Sequence, residues 1–209
     1  MKICNALFRY YEWITMIFIA FCVCSGANAL ASSLEIGKEK SAVCMACHGA
    51  QGVSANPIWP NLAGQHQAYL MKQLHDFKKG ELRHSPVMSP FVAALTDEEI
   101  EAIAYFYSKQ TRAEPSPSKK NELGEKLYRV GDAQKHIPAC IACHGPQALG
   151  NPLGGFPVLA SQKEEYAFLQ LQAFKDKTRK NDLNKIMQTI TSYMSEEEMR
   201  AVSAYLSTY

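Results

Sequence analysis

Residues 44–49 read CMACHG and residues 140–145 read CIACHG. Two cysteines separated by two residues, with a histidine directly behind them, thus occur twice, ninety-six residues apart, in a chain of 209 residues. The segment behind the motif is duplicated as well: WPNLAGQHQAYLMKQLHDF in the first copy, FPVLASQKEEYAFLQLQAF in the second. Pro60 then matches Pro157, Leu62 matches Leu159, Tyr69 matches Tyr166, Leu74 matches Leu171 and Phe77 matches Phe174. Further on, VMSPFVAALTDEEI matches IMQTITSYMSEEEM with three residues added, so Met88 pairs with Met187 and Leu95 with Met194. Upstream, IGKEK around Gly37 matches LGEKLY around Gly124. Self-similarity of this kind makes the repeat the folding unit. The expected organisation is one domain over residues 30–112 and a second over 121–209. A linker at 113–120 lies within the proline-containing, polar TRAEPSPSKK, a composition suited to an exposed connection.

Both copies read as helical. Thr96 with Glu99 and Ser195 with Glu198 have capping-box spacing at the start of each copy's last helix, and Ser32 with Glu35 has it near the start of the first,. The last helices place Ile100, Ile103, Ala104, Tyr107 and Met199, Val202, Ser203, Leu206 at i, i+3, i+4, i+7, the spacing of a single helical face. Leu70, Leu74 and Phe77 repeat it before Gly80. No segment alternates cleanly enough to predict a strand, so the expected class is all-α. Hydrophobic residues at 47% and charged residues at 20% supply enough apolar material for packed cores and argue against disorder,.

The first 29 residues belong to another category. Lys2 and Arg9 precede the apolar WITMIFIAFCVC, and small residues come next, with Ala27 and Ala29 spaced as at a cleavage site. This pattern predicts a secretory signal peptide over 1–29, cleaved after Ala29. The apolar run is shorter than the roughly 20 residues that cross a bilayer, which disfavours a retained anchor. Neither Cys22 nor Cys24 follows the small residue a lipoprotein site would need. Cleavage would leave only Cys44, Cys47, Cys140 and Cys143, and a formal charge reduced from +2 to +1 by loss of Lys2, Arg9 and Glu12. That balance gives no basis for nucleic-acid binding.

Four chemistries compete for the C-x-x-C-H motifs. Tetrahedral zinc needs more ligands than two cysteines and an adjacent histidine supply. A thioredoxin-like pair expects a βαβ setting. Structural disulfides suit an exported protein but give no reason for the histidines. Covalent haem attachment explains both order and spacing: Cys44 and Cys47, and likewise Cys140 and Cys143, form thioethers to haem vinyl groups, and His48 or His144 ligates the iron,. Two covalently bound haem c groups are therefore expected.

The opposite face of each iron is either open for ligand chemistry or closed by a side chain. Met88 and Met187 are the candidates because they recur at the same point of both copies. A methionine there saturates the iron and favours electron transfer. Pro86 and Pro90 around Met88 predict a loop rather than a regular helix,. Met45, Met71, Met194 and Met199 read as core filler, although Met194 lies near enough to Met187 to rival it. His66, His75, His84 and His136 read as surface or polar-network residues, since His84 has no counterpart in the second copy.

Together, CMACHG, WPNLAGQHQAYL, VMSPFVAALTDEEIEAIAYF, YRVGDAQKHIPACIACHGPQALGN, FPVLASQ, RKND and AVSAYL resemble dihaem cytochromes c of the cytochrome c4 type, from about Leu34 to Leu206. The resemblance implies two tandem class I cytochrome c domains, each a few helices around one haem, packed closely enough for electron exchange. It also implies that the carbonyls of Pro60 and Pro157 accept hydrogen bonds from His48 and His144. Replacement of Gly64 by Ser161 and the longer second methionine segment imply haems of different potential,. The expected function is that of a periplasmic one-electron carrier, not an enzyme. Its donor would be a membrane quinol-oxidising cytochrome complex and its acceptor a terminal oxidase or periplasmic reductase, and loose membrane association is compatible with this reading. The alternative is the dihaem cytochrome subunit of a flavin-containing sulfide dehydrogenase or similar oxidoreductase. A dihaem peroxidase or thiosulfate dehydrogenase would need an open or differently ligated iron, against which the matched methionines argue.

Overall fold

A computed structural model describes residues 33–118 and 121–209. The expected signal peptide, its cleavage site and Ser32 lie outside these residues. Residues 33–40 are helical (α1). Next come α2 (Ala42–His48), α3 (Gln67–Lys79), α4 (Met88–Val92) and α5 (Asp97–Ser108). The second copy supplies α6 (Glu122–Arg129), α7 (Ile141–His144), α8 (Glu164–Lys175), α9 (Ile186–Ser192) and α10 (Glu196–Ser207), with short 3-10 turns at Ala133–Lys135 and Leu183–Lys185. Among the described residues there are isolated bridges but no strand, as the sequence predicts. None of the described helices is long and apolar enough to cross a membrane.

The duplicated sequence produces duplicated packing. In the first copy Leu70, Ile103, Ala104, Phe106 and Tyr107 form one hydrophobic cluster. In the second, Phe168, Met194, Met199, Val202 and Leu206 pack with Leu127 and Tyr128 in another. The predicted faces of α5 and α10 are thus the core faces. Both helices begin with the expected reciprocal caps: Glu99 N–H donates to Thr96 Oγ1 at 3.2 Å and Thr96 N–H to Glu99 Oε2 at 3.0 Å. The corresponding Glu198 and Ser195 bonds are 3.1 and 2.7 Å. Each cap satisfies donors that the first helical turn leaves free.

The first and last helices of each copy cross at a glycine. A Cβ on Gly37 would lie 2.1 Å from the Ala102 carbonyl oxygen, and one on Gly124 would lie 2.0 Å from that of Ala201. Backbones can approach this closely only where no side chain intervenes. Helices α4 and α9, at whose starts the candidate methionines lie, pack on α3 and α8 respectively. In the connection, residues 111–117 have no regular structure, and Ser116 N–H is tied to the Ser207 carbonyl at 2.7 Å.

Candidate haem sites and the interface between the copies

Helix α2 carries Cys44, Cys47 and His48 at i, i+3 and i+4, so all three emerge on one face,. Cys140 precedes α7, which carries Cys143 and His144. No disulfide joins the four cysteines, which are half-buried, while both histidines are buried. Burial raises the Cys44 thiol above its ordinary pKa and pushes Cys140 up to about 11. A redox or nucleophilic cysteine needs the opposite shift. Among the described residues no cluster of three or more histidine, cysteine or carboxylate side chains converges as a metal site. The zinc and dithiol readings therefore find no support in the geometry.

Each imidazole is pinned from behind. His48 Nδ1–H donates to the Pro60 carbonyl at 3.0 Å, and His144 Nδ1–H donates to that of Pro157 at 3.1 Å. A carbonyl can only accept, so Nδ1 carries the proton and Nε2 keeps its lone pair for an iron. Burial, opposed by these bonds, lowers both histidine pKa values and favours the neutral, ligating form. The Phe156 ring meets His144 edge-on at 6.0 Å between centroids. A cavity of about 650 Å³ lies between the segment leading into CIACH, with Val130, Ile137 and Pro138, and helix α9, with Ile186 and Ile190. Its lining includes none of Cys140, Cys143, His144 and Met187.

Met88 and Met187 are half-buried, and Met88 does not lie in the loop expected from its flanking prolines. Met88 is the first residue of α4 and Met187 the second of α9. Pro90 is tolerated as the third residue of α4 because the first four helical N–H groups have no intrahelical acceptor. Ser85 Oγ accepts the Met88 N–H at 3.1 Å instead. Met194 and Met199 are core residues, and Met45 and Met71 pack at the edge of the first cluster. His66 joins a polar network through a 2.9 Å bond to the Leu149 carbonyl, while His84 and His136 are exposed. His75 Nδ1 is 3.8 Å from Asp97.

Sequence reasoning missed the interface between the copies, which has approximate two-fold symmetry. The Gln65 side-chain amide grips the Val158 backbone, donating to its carbonyl and accepting from its N–H, both at 2.9 Å. The matching Gln162 grips the Asn61 backbone at 3.0 and 2.8 Å. Asn61 Nδ2 adds a bond to the Ser161 carbonyl at 2.8 Å. Ser161 holds a left-handed φ of 56° where the first copy has Gly64 at 66°, so the departure in sequence leaves the backbone shape intact. Arg83 and Arg179 also cross the interface. The available signal was the recurrence of Tyr69, Gln65 and Gln73 as Tyr166, Gln162 and Gln170; Arg83 and Arg179 are one residue out of that register and only the fold pairs them.

The cytochrome c family matches residues 34–110 and 122–209. A cytochrome c4 of Thiocapsa roseopersicina is 42% identical over 178 residues, covering 82% of this chain and 90% of the relative. A thiosulfate dehydrogenase electron acceptor of Stutzerimonas stutzeri (strain A1501) is 38% identical over 169 residues, covering 78% and 77%. The crystal structure of reduced recombinant cytochrome c4 from Pseudomonas stutzeri superposes with a TM-score of 0.79 at 37% identity, covering 83% of this chain and 97% of that one. With its duplicated C-x-x-C-H helices and buried, carbonyl-bound histidines, the chain belongs to the cytochrome c family as a dihaem electron-transfer protein of the cytochrome c4 type, with two covalently bound haem c groups in tandem domains.

Proposed function

We propose that this protein is a periplasmic one-electron carrier, loaded once per haem. It would take electrons from a quinol-oxidising membrane cytochrome complex and pass them to a terminal oxidase or periplasmic reductase, making and breaking no bond in a substrate. The observation that carries this reading is the imidazole held by a prolyl carbonyl in both copies. Haem iron supplies the one-electron couple; the chain fixes its ligands and limits reorganisation. In this reading Cys44, Cys47, Cys140 and Cys143 hold the haems, His48 and His144 ligate one face of each iron, and Met88 and Met187 close the other. The linker is placed at 113–120, and export is assigned to residues 1–29, cleaved after Ala29.

Purified protein tests the ligand set. A pyridine haemochrome count of two, and a weak far-red ferric band lost stepwise in Met88→Ala and Met187→Ala, is the expected outcome. Rapid binding of azide or cyanide to the parent ferric protein would instead reveal an open iron and revive the dihaem-enzyme reading.

The similarity to a thiosulfate dehydrogenase electron acceptor favours a second reading, in which the chain serves one oxidoreductase as its dedicated acceptor. A flavin-containing sulfide dehydrogenase is another enzyme that such a subunit would suit. Copurification in fixed stoichiometry with an enzyme chain supports this reading; isolation as a lone protein supports the carrier.

A further inference from the structure

Tyr107, in the last turn of α5, is 1% exposed, yet its hydroxyl has no hydrogen-bond partner. Among the described residues it is the one buried side-chain oxygen or nitrogen left in that state. The ring itself is firmly placed. It meets Phe106 edge-on at 5.1 Å between centroids, and the Tyr107 carbonyl accepts the Gly64 N–H at 2.9 Å. A Cβ on Gly52 would lie 2.7 Å from Tyr107 Cδ1 and 3.1 Å from Cε1, so the ring lies against the turn that follows CMACH. Ser41 Oγ comes close enough to ease ionisation of the phenol but lies outside hydrogen-bonding geometry, and donates to the Lys38 carbonyl at 2.9 Å instead.

The second copy fills the same space differently. Gly52 matches Ala148, Tyr107 matches Leu206, and Ser41 matches Tyr128. Gly52 and Ala148 both hold a left-handed φ, 81° and 55°, and the carbonyl of each accepts the same pair of backbone N–H groups, from Leu62 and Ala63 or from Leu159 and Ala160. The turns thus correspond and only the side chains differ. Tyr128 approaches the second motif from the first helix of its copy, packs against Cys140 and donates its hydroxyl to the Gly145 carbonyl at 2.6 Å. Tyr107 approaches the first motif from the last helix and packs in the cluster that Cys44 joins, one turn after Ser41. The first copy therefore lacks a methyl group at position 52 and a large side chain at position 41, which admits a phenol, but gives its hydroxyl no acceptor. Phenylalanine would fill almost the same volume without burying an unpaired donor, which loses its hydration with no return. The acceptor has to come from the group that the motif carries.

Burial raises the Tyr107 pKa, and a charge on Cys44 is the next largest influence in the same direction, so the phenol lies within the field of that side chain. On attachment Cys44 becomes a thioether, whose sulfur can accept a hydrogen bond but not donate one. We propose that Tyr107 donates a hydrogen bond to the Cys44 thioether sulfur, and that this bond raises the potential of the first haem relative to the second. The proposal rests on haem attachment at Cys44 and is independent of the redox partners. A donor at the sulfur draws electron density from the macrocycle and favours the reduced iron. Tyr128 exerts no such pull on the second haem, because its hydroxyl is held by Gly145.

Spectroelectrochemical titration of the holoprotein, resolved into its two steps, tests this. Tyr107→Phe removes one oxygen atom; it should lower one step, leave the other in place and melt below the parent, because a paired buried hydroxyl stabilises. Ser41→Ala should leave both steps where they are. In the parent, the resonance Raman band of the haem carbon–sulfur stretch should shift after full exchange into D2O, and Tyr107→Phe should abolish that shift. Unchanged potentials in Tyr107→Phe with a melt at or above the parent would mean that the hydroxyl is unpaired in the holoprotein too, and unchanged potentials with a lower melt would give it some other partner. Either result overturns the proposal, as does equal movement of both steps, or a drop in Ser41→Ala as large as that in Tyr107→Phe. If Tyr107→Phe fails to fold or to take up haem, the Raman shift of the parent decides alone, and its absence refutes the bond. A pyridine haemochrome count below two in the parent would sink the attachment reading instead, so the two failures are distinguishable.

Discussion

Replacing Gln65 with leucine removes one of the two amide clamps while keeping a side chain of similar length at a buried position. Gln65 satisfies both the N–H and the carbonyl of Val158 at 2.9 Å, and its surroundings exclude solvent. Leucine can satisfy neither group. A buried backbone group left unpaired costs about 1–3 kcal/mol, so the pair costs about 2–6 kcal/mol. For a protein of this size each kcal/mol lowers the melting temperature by about 2–4 °C, and the lower bound of the loss is about 4–8 °C. The loss falls on the interface rather than on either core, so the copies should also unfold less cooperatively, most visibly when Gln162→Leu is combined with it. Calorimetry of the holoprotein measures both effects. Gln51→Leu, at an exposed glutamine of the first copy, is the control and should stay within about 0.5 kcal/mol of the parent,. If Gln65→Leu melts with that control in a single transition, the clamp does not hold the copies together.

The same geometry sets three other outcomes. Gly124→Ala would place a Cβ 2.0 Å from the Ala201 oxygen and 2.8 Å from the Tyr205 Cβ; forced separation of α6 from α10 should cost at least about 1–3 kcal/mol in a thermal melt, and a parent-like melt would refute the close crossing,. Lys177 sits beyond α8 with a left-handed φ of 58°, where the first copy has Gly80 at 72°. Lys177→Gly should therefore stabilise the protein by about 1 kcal/mol, and chemical denaturation that shows a loss would contradict it. Burial opposes ionisation of Glu198, but Lys135, paired at 2.7 Å, and the Ser195 cap outweigh it and depress its pKa. A depressed carboxyl contributes stability above its ordinary pKa and loses it as pH falls through the folded value. Glu198→Gln should accordingly destabilise at neutral pH, with the gap closing as pH drops below the ordinary glutamate range; a gap independent of pH would refute the ion pair.

Much of the architecture was legible because it depends on local pattern. The faces of α5 and α10 come from apolar spacing, and their starts from a hydroxyl residue and a glutamate three apart. Helix α4 was misjudged because its prolines count against helix in an interior but not in a first turn, and only the chain path showed that Met88 begins the helix. The prolines behind the histidines could be named as matched positions, but matching reveals no direction of a carbonyl. Gln65 and Gln162 are matched, Arg83 and Arg179 are one residue out of that register, and all four are polar residues of the kind that ordinarily face water, with nothing within one copy to mark them as buried.

By itself the sequence determined the duplication, the helical class, the attachment motif and the pairing of Met88 with Met187, since each rests on spacing within a short segment. Tertiary structure decided how the two copies face each other. That arrangement depends on surfaces brought together from positions about a hundred residues apart, where the same glutamine or arginine is a solvated side chain on an isolated domain and a buried clamp or cation in the pair. Burial is a property of the assembled shape, and it turns Arg83 and Arg179 into two adjacent guanidinium groups whose hydrogen bonds run to tyrosine, glutamine and asparagine side chains.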